Sequence, residues 1–152
     1  MNVWKQLTND PEILHFVSHC HIEFTADPAK YSQGSHRNFT AVEQQVISEE
    51  VTKLLERGVI VSSNHEAGEC ISPIVVVPKP DGSQRLFFNS KNCNQAVLYR
   101  HFKMDTLVSV LALVTPGAFM ASIDLRHAYY TIHIAFEHQK FLKFYWNGIL
   151  YK

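Results

Sequence analysis

SPIVVVPKPDGSQRLFF, residues 72–88, is the stretch of sequence that decides the fold. It begins with the β-branched run Ile74–Val77, which is typical of a buried strand. Pro78–Gly82 then has the proline, aspartate and glycine of a tight turn, and Arg85–Phe88 suits a return strand. The stretch therefore predicts a β-hairpin with Lys79 near its tip.

A second hairpin is predicted close to the end of the sequence. Phe141–Trp146 and Ile149–Tyr151 have strand character, and Asn147-Gly148 between them is typical of a two-residue hairpin turn. The second strand has barely begun where the sequence ends at Lys152. A folded domain rarely stops at such a point, so we expect a truncated domain.

The clearest helix signal lies before the first hairpin. It runs from Ala41 to Arg57, where Thr40 and Glu43 form a capping-box pair and Gly58 suits a left-handed C-terminal cap. The helix is amphipathic, and its apolar face is expected to contain Val42, Val46, Val51, Leu54 and Leu55.

The remaining predicted elements complete a mixed pattern. They are a short helix begun near Asp10-Pro11, a linker or extended arm over Thr25–Asn38, a helix over Asp105–Val114, and strands over Val59–Val61, Phe119–Leu125 and Thr131–Ile134. This order predicts an α+β fold, with an N-terminal extension or linker in residues 1–37 and the main domain in residues 38–152.

Composition limits the class of protein. The chain has 152 residues, of which 46% are hydrophobic, so one domain with a sizeable core is expected. It contains no run of about 18 apolar residues, so no membrane-spanning helix is predicted. Cys20, Cys70 and Cys93 are too widely spaced for a disulfide framework or a metal knuckle. A reducing intracellular compartment, cytoplasm or nucleus, is therefore the default.

Charge is distributed unevenly although the formal net charge is zero. Residues 1–70 carry five basic and ten acidic side chains, a net charge of −5, whereas residues 71–152 carry nine and four, a net charge of +5. The stretch Lys79–Lys103 contains five basic residues and one acidic residue. Such a stretch is either an ordinary solvated surface or a groove that faces phosphates.

Three groups of residues could carry chemistry. Asp124 follows the apolar run Phe119–Ile123, and its carboxylate either caps the next turn or binds a hard cation such as Mg²⁺. Lys79 and Arg85 could hold one anionic group between them, or could simply lie on an exposed, soluble hairpin tip. The third group could bind zinc, but it matches no zinc motif, so an ordinary structural role is favoured; it contains His15, His19, Cys20 and His21.

Taken together, these segments resemble a known family of polymerases. Residues 72–85 (SPIVVVPKPDGSQR) resemble the fingers motif of reverse transcriptases, and Asn94 falls where the family's leucine-asparagine step ends. Residues 122–130 (SIDLRHAYY) resemble the first palm motif. Two further segments are similar to sequences found in DIRS-type retrotransposons, which carry a tyrosine recombinase: LTNDPEIL (residues 7–14) and HFKMDTL (residues 101–107). The resemblance implies the fingers and the start of the palm of a right-hand polymerase.

The resemblance also implies RNA-directed DNA polymerase chemistry and a role for each matching residue. Asp124 would be the catalytic, metal-binding aspartate, with the Leu125 carbonyl as a further metal ligand, in a site that uses two Mg²⁺ ions. Lys79 and Arg85 would grip the triphosphate of the incoming deoxynucleotide, and Tyr129 would exclude a 2′-hydroxyl. The nucleotide pocket would also be lined by Leu125, His127, Ala128 and Tyr130. The implied partners are an RNA or DNA template–primer and a dNTP.

The sequence departs from the family pattern at several places. It contains no Tyr-x-Asp-Asp motif, which supplies the other catalytic carboxylate in the family, so we expect the chain alone to be inactive. His127 and Asn89 stand where many relatives have aspartate, and Cys93 stands where leucine is usual. A polymerase fragment is therefore the first interpretation. The alternatives are a non-catalytic nucleic-acid-binding remnant of a retrotransposon and a fragment with no stable fold.

Overall fold

The computed structural model describes residues 4–34, 37–122 and 128–152. These residues form short helices and two separate two-stranded antiparallel sheets. In chain order the elements are α1 (Trp4–Leu7), α2 (Pro11–Ser18), a 3₁₀ turn (Pro28–Tyr31), α3 (Ala41–Glu56), β1 (Ile74–Pro78), β2 (Gln84–Phe88), a 3₁₀ turn (Cys93–Ala96), α4 (Leu107–Leu111), 3₁₀ turns at Ala128–Thr131 and Phe136–Phe141, β3 (Phe144–Trp146) and β4 (Ile149–Tyr151). The predicted α+β class is confirmed.

Helix α3 begins and ends where local chemistry predicts. The Thr40 hydroxyl accepts a hydrogen bond from the Glu43 N–H at 3.3 Å, and the Glu43 carboxylate accepts one from the Thr40 N–H at 2.8 Å. This reciprocal pair satisfies two N–H groups that the first turn of a helix otherwise leaves without partners. Gly58 follows the helix with φ of +66°, a left-handed conformation that glycine adopts without a Cβ clash.

The buried face of α3 differs from the predicted one. Val51 and Leu54 are buried as expected, but Val42 is 63% exposed and Leu55 is also exposed, whereas Ile47 is completely buried. Ile47, Val51 and Leu54 are spaced by four and three residues, so they form one stripe along a helix of 3.6 residues per turn. Val42 lies about 140° around the helix axis from Ile47 at that pitch, which directs it to solvent.

Both predicted hairpins are confirmed. β1 and β2 pair antiparallel, with Ile74 opposite Phe88 and Pro78 opposite Gln84. β3 and β4 pair with Phe144 opposite Tyr151, and Asn147 and Gly148 connect them at φ of +47° and +75°. Two consecutive positive φ values define the type I′ turn, whose twist matches that of the flanking strands.

The predicted strand Val59–Val61 does not form a regular strand. Val61 instead exchanges two backbone hydrogen bonds with Lys152, at 2.9 and 3.0 Å, and Ser62 forms an isolated bridge with Tyr151. Residues 61 and 62 therefore pair with the end of the β3–β4 hairpin, next to β4.

Three predictions in the second half of the chain fail in the described residues. The helix expected over Asp105–Val114 forms only at Leu107–Leu111, and Thr131–Ile134 contains the end of a 3₁₀ turn and a single bridge residue instead of a strand. Residues 119–122 are not a strand, and residues 123–125 of that prediction lie outside the described part. An apolar run becomes a strand only when a neighbouring segment pairs with it over several residues; residues 133–135 pair only briefly with residues 17–20, and residues 119–122 have no strand partner among the described residues.

The core lies between α3 and the two hairpins. Phe144 packs against Phe88 and Tyr151 with ring centroids 4.6 and 5.3 Å apart. Phe39 packs edge-on against Trp146 at 5.8 Å. The buried cluster consists of Ile47, Val51, Leu54, Ile60, Ile74, Phe144, Trp146 and Tyr151. Because both hairpins contribute to this one cluster, α3 fixes their relative positions.

The N-terminal residues are tied to the rest of the chain by backbone hydrogen bonds. The Cys20 N–H donates to the His133 carbonyl at 2.8 Å, the Thr25 N–H donates to the Ala96 carbonyl at 2.7 Å, and the Gln33 N–H donates to the Ile71 carbonyl at 2.9 Å. The predicted division between residues 1–37 and 38–152 stays a prediction.

We expect Ile47→Ala to lower the free energy of unfolding by about 2–5 kcal/mol, because it removes a completely buried side chain and leaves a cavity in the core. Val42→Ala on the same helix is the matched control and is expected to change it by about 0.5 kcal/mol or less. Urea denaturation followed by far-UV circular dichroism measures both values. Equal losses for the two variants would contradict the assigned face of α3.

Candidate nucleic-acid interface

The β1–β2 hairpin carries Lys79 at its tip and Arg85 on its outer face. Its tip is closed by hydrogen bonds from the Lys79 N–H to the Ser83 carbonyl at 2.7 Å and from the Gly82 N–H to the Lys79 carbonyl at 3.0 Å. Arg85 is exposed, and its guanidinium carbon lies 5.8 Å from the centre of the Phe87 ring on the same face of β2. Leu86 and Phe88 occupy the other face and pack against the core. The hairpin therefore offers a cationic outer face on an apolar base.

Asp81 at the tip is turned toward its own loop. Its carboxylate accepts hydrogen bonds from the Ser83 hydroxyl at 2.6 Å and the Ser83 N–H at 2.9 Å. These bonds, together with the nearby Lys79 ammonium, hold the pKa of the Asp81 carboxyl below its usual range. The tip thus combines a half-buried lysine, an exposed arginine and one ionised carboxylate that is already hydrogen-bonded.

The expected nucleotide-pocket residues are only partly described. Ala128, Tyr129 and Tyr130 end the stretch that resembles the first palm motif and begin the 3₁₀ turn Ala128–Thr131, and the Tyr129 side chain is 93% exposed. Tyr130 is 41% exposed, and the burial of the rest of its side chain together with the Glu50 carboxylate raises the pKa of its phenol. Tyr130 therefore lies near Glu50 of helix α3, whereas Lys79 and Arg85 contact residues of their own hairpin. Asp124, Leu125 and His127 lie outside the described residues.

The basic stretch Lys79–Lys103 is partly neutralised by the fold. Arg100 donates two hydrogen bonds to the Glu23 carboxylate, at 2.7 and 2.6 Å, and this contact raises the pKa of the guanidinium. Glu23 lies 77 positions earlier in the sequence, so charge counting along the chain did not reveal the pair. Lys91 and Lys103 remain exposed beside the hairpin residues in sequence.

A buried ion cluster that the sequence pattern did not predict lies beneath the β3–β4 hairpin. The Lys143 ammonium is completely buried and donates to the Glu66 carboxylate at 2.7 Å, to the Glu69 carboxylate at 2.8 Å and to the Asn64 carbonyl at 2.8 Å. An ammonium has three N–H donors, so every one has an acceptor. One signal was available, because a lysine inside the apolar run Phe141–Trp146 requires an acidic partner if it is buried.

Glu69 connects this lysine to the protein surface. Its carboxylate also contacts the His65 ring and accepts from the Glu66 N–H at 3.1 Å, and the other nitrogen of His65 contacts the Tyr145 hydroxyl. Burial acts to raise the pKa of Glu69, but the hydrogen bonds from Lys143, His65 and Glu66 outweigh it and lower the pKa to about 2. The same acceptors raise the pKa of Lys143 against the opposing effect of its burial. Both groups are therefore charged across the neutral range.

A shallow cavity of about 400 Å³ opens beside His65 and Tyr145. Hydroxyl and amide groups form one wall and the β3–β4 turn forms the other; the lining residues are Ser62, Ser63, Asn64, His65, Tyr145, Gly148, Ile149 and Leu150.

The histidine cluster near the N-terminus is present as a group of neighbouring rings. The His15 ring lies 6.0 Å from that of His19 and 6.3 Å from that of His21. Among residues 4–34, 37–122 and 128–152, no set of three or more His, Cys, Asp or Glu side chains is arranged to hold a metal ion. Within the same residues, no helix is long and apolar enough to cross a bilayer.

Solved structures with a similar fold are reverse transcriptases of foamy viruses. A foamy viral protease-reverse transcriptase in complex with an RNA/DNA hybrid matches with a TM-score of 0.71 and 21% identity, over 88% of this chain and 17% of that one. A second, in complex with double-stranded DNA, matches at 0.69 and 23% identity, over 88% and 23%. The native prototype foamy virus enzyme matches at 0.59 and 23% identity, over 79% and 16%. No protein-family model matches the sequence.

These comparisons define the class of fold. The chain has a reverse-transcriptase-like fold and spans 16–23% of the length of these three structures. At 21–23% identity the likeness concerns the fold alone.

We expect Glu69→Gln to lower the free energy of unfolding by about 3 kcal/mol, because it removes a charge that compensates the buried Lys143 ammonium. Glu66→Gln is the matched control. The Glu66 side chain is 47% exposed and solvent screens its charge, so its loss should cost clearly less than that of Glu69. Urea denaturation at pH 7 measures both.

The same two variants identify which carboxylate causes the loss of stability at low pH. The pKa of Glu69 in the folded chain lies near 2 against a usual value of 4.5, so its contribution is fully present above pH 4.5 and is lost as the pH falls toward 2. Glu69→Gln should therefore flatten the loss of stability in this window more than Glu66→Gln does. Parallel acid profiles for wild type and Glu69→Gln would show that the carboxylate is not held by Lys143.

Proposed function

We propose that this chain is the fingers and first palm portion of an RNA-directed DNA polymerase and that it binds a template–primer. The observation that supports this most directly is the structural match to reverse transcriptases over 88% of the chain. Those neighbours are in complex with double-stranded DNA and with an RNA/DNA hybrid. An exposed hairpin with Lys79 and Arg85 suits a phosphate-rich partner, since lysine acts as a point charge and arginine binds phosphate oxygens in bidentate fashion.

The proposed roles of individual residues follow the resemblance. Lys79 and Arg85 contact the triphosphate of the incoming dNTP, and the exposed Tyr129 selects against a 2′-hydroxyl. Leu125, His127, Ala128 and Tyr130 complete the nucleotide pocket. Asp124 and the Leu125 carbonyl would hold Mg²⁺, a cation that prefers oxygen ligands and would neutralise phosphate charge. Both residues lie outside the described part of the chain, so the metal remains a proposal from sequence.

The proposed origin is a DIRS-type retrotransposon. This proposal is supported by the amino-acid sequences of residues 7–14 and 101–107, which lie outside the two polymerase motifs. An intracellular location is proposed with it, and the three free cysteines, Cys20, Cys70 and Cys93, suit a reducing compartment.

The alternative is a non-catalytic nucleic-acid-binding remnant. Its supporting observation is that residues 1–152 contain no Tyr-x-Asp-Asp motif, while the exposed basic hairpin is intact. Both interpretations predict nucleic-acid binding. They differ in whether Asp124 is part of a catalytic site.

We expect the chain to bind an RNA/DNA hybrid with an affinity that falls as salt rises, because each phosphate contact releases a counterion. With no dNTP present, Lys79 and Arg85 are expected to contact phosphates of the hybrid instead of a triphosphate, so the double variant Lys79→Ala/Arg85→Ala should weaken binding about tenfold or more and lower the slope of log Kd against log salt by about 2. Fluorescence anisotropy of a labelled hybrid at several salt concentrations measures both quantities.

Lys53→Gln is the charge control, since Lys53 is exposed on α3, pairs with Glu50 and lies away from the hairpin in sequence. Its binding should equal that of wild type. An equal loss for Lys53→Gln and the hairpin variant would indicate general charge attraction and sink the proposed interface. Wild-type binding that does not change with salt would do the same.

We also expect residues 1–152 alone not to extend a primer in the presence of Mg²⁺ and dNTPs, because one aspartate cannot hold two metal ions in the required geometry. Gel analysis of a labelled primer on an RNA template measures this, with an intact reverse transcriptase as the positive control. Robust Mg²⁺-dependent extension that Asp124→Asn abolishes would refute the expectation and show that the chain contains a complete active site.

A further inference from the structure

Residues 17–24, the segment that follows helix α2, lie alongside residues 133–138 in an arrangement that resembles a short parallel pair of strands. The His133 N–H donates to the Val17 carbonyl at 3.1 Å, the Cys20 N–H donates to the His133 carbonyl at 2.8 Å, and the Ala135 N–H donates to the Cys20 carbonyl at 3.0 Å. The next contact along this seam is of a different kind. The Ile22 N–H donates to the Nδ1 atom of His138 at 2.9 Å.

That last hydrogen bond depends on the protonation state of one imidazole. A neutral imidazole has one nitrogen that donates and one that accepts, whereas both nitrogens of a protonated imidazole donate. A backbone N–H cannot accept, so Nδ1 of His138 can receive the Ile22 bond only while it carries no proton. Protonation of Nδ1 would also place two N–H groups against each other at a partly buried position.

We propose that His138 is a pH-sensitive latch that helps to hold residues 20–22 on the body of the domain at neutral pH and loosens them under mildly acidic conditions. Residues 23–25 are held independently of His138, because the Leu98 N–H donates to the Glu23 carbonyl at 2.7 Å, Arg100 donates to the Glu23 carboxylate and the Thr25 N–H donates to the Ala96 carbonyl. The inference is independent of the proposed polymerase function, since it uses none of the residues assigned to nucleotide or metal binding.

Several aromatic and titratable side chains surround His138. The His21 ring meets the His138 ring edge-on at 5.2 Å, and the Phe24 and Phe141 rings lie at 5.7 and 5.9 Å. The other titratable groups on helix α2 and on the two packed segments are Glu12, His15, His19, Cys20, Glu23, His133 and Glu137, with Lys140 following the second segment and Arg100 paired with Glu23.

Glu137 is the counter-charge nearest to the histidine rings, and it opposes release only in part. Its carboxylate lies 3.4 Å from the His21 Nδ1 atom. Its own backbone N–H, and then His21, His138 and His19, lower the pKa of Glu137, so it stays ionised while the histidines titrate. It can therefore pair with one imidazolium. Protonation of several rings that lie 5.2–6.3 Å apart leaves the remainder in mutual repulsion.

The sign of the effect follows from the acceptor role. The docked state excludes the proton at Nδ1, whereas the released state accepts it at the usual histidine pKa of about 6.5. Docking is therefore complete above that value and weakens as the pH falls through it. Between pH 7.5 and 5.5 the equilibrium constant for release should rise about tenfold.

The test is amide hydrogen exchange of the full chain at pH 7.5 and 5.5, read by mass spectrometry and corrected for the intrinsic pH dependence of exchange. Protection of peptides that cover residues 20–22 should fall about tenfold more than protection of peptides that cover residues 47–54 of α3. In His138→Asn the side-chain oxygen takes the place of Nδ1 as acceptor and cannot be protonated, so the fall should disappear. In His21→Asn, which leaves the latch intact, the fall should persist.

Three results would overturn the proposal. The first is an equal fall in wild type and His138→Asn, which would assign the pH dependence to other groups. The second is an equal fall in residues 20–22 and 47–54, which would indicate global unfolding. The third is absence of protection at residues 20–22 of the wild type at pH 7.5, which would show that the segment is not docked.

Discussion

The buried ammonium of Lys143 is the constraint on which the rest of this fold depends. A charge completely removed from water costs several kcal/mol unless it is fully hydrogen-bonded. Lys143 meets this requirement only because residues 64–69 fold over it and supply one carbonyl and two carboxylates. The backbone of the same residue pairs with Cys70 and Ser72, at 3.2 and 2.8 Å, which leads the chain directly into β1. One side chain thus ties the loop before the first hairpin to the start of the second.

In this arrangement the outer face of the β1–β2 hairpin does not pack against the core. Leu86 and Phe88 point to the core that α3 and Phe144 complete, so Arg85 and Phe87 alternate outward. A scaffold that is held by a buried ion cluster and an aromatic core can carry different side chains on its exposed face. The likeness in fold to foamy viral enzymes at 21–23% identity is consistent with this separation, because packing positions and surface positions change independently.

Predictions succeeded where the interaction that decides a structure is local in sequence. Thr40 and Glu43 are three residues apart, and Asn147 and Gly148 are adjacent, so the pattern itself contains both partners. The apolar face of α3 was placed wrongly because Val42 and Ile47 are chemically alike, and only the position of the hairpins selects between them. Phe119 and Met120 were expected in a strand but are exposed, because a strand also needs a neighbour, which the pattern cannot supply.

The same distinction between local and long-range contacts applies to the candidate site. By itself, the sequence determined the two hairpins, the capped helix, and the position of Lys79 and Arg85 around one turn, since all of these rest on contacts between residues a few positions apart. Only the tertiary structure decided that Glu23 neutralises Arg100, that Glu66 and Glu69 receive Lys143, and that His138 accepts from Ile22. Each of these pairs joins residues more than 70 positions apart. Any of several acids could serve a buried lysine, and the choice among them is made by the packing that brings one of them within hydrogen-bond distance.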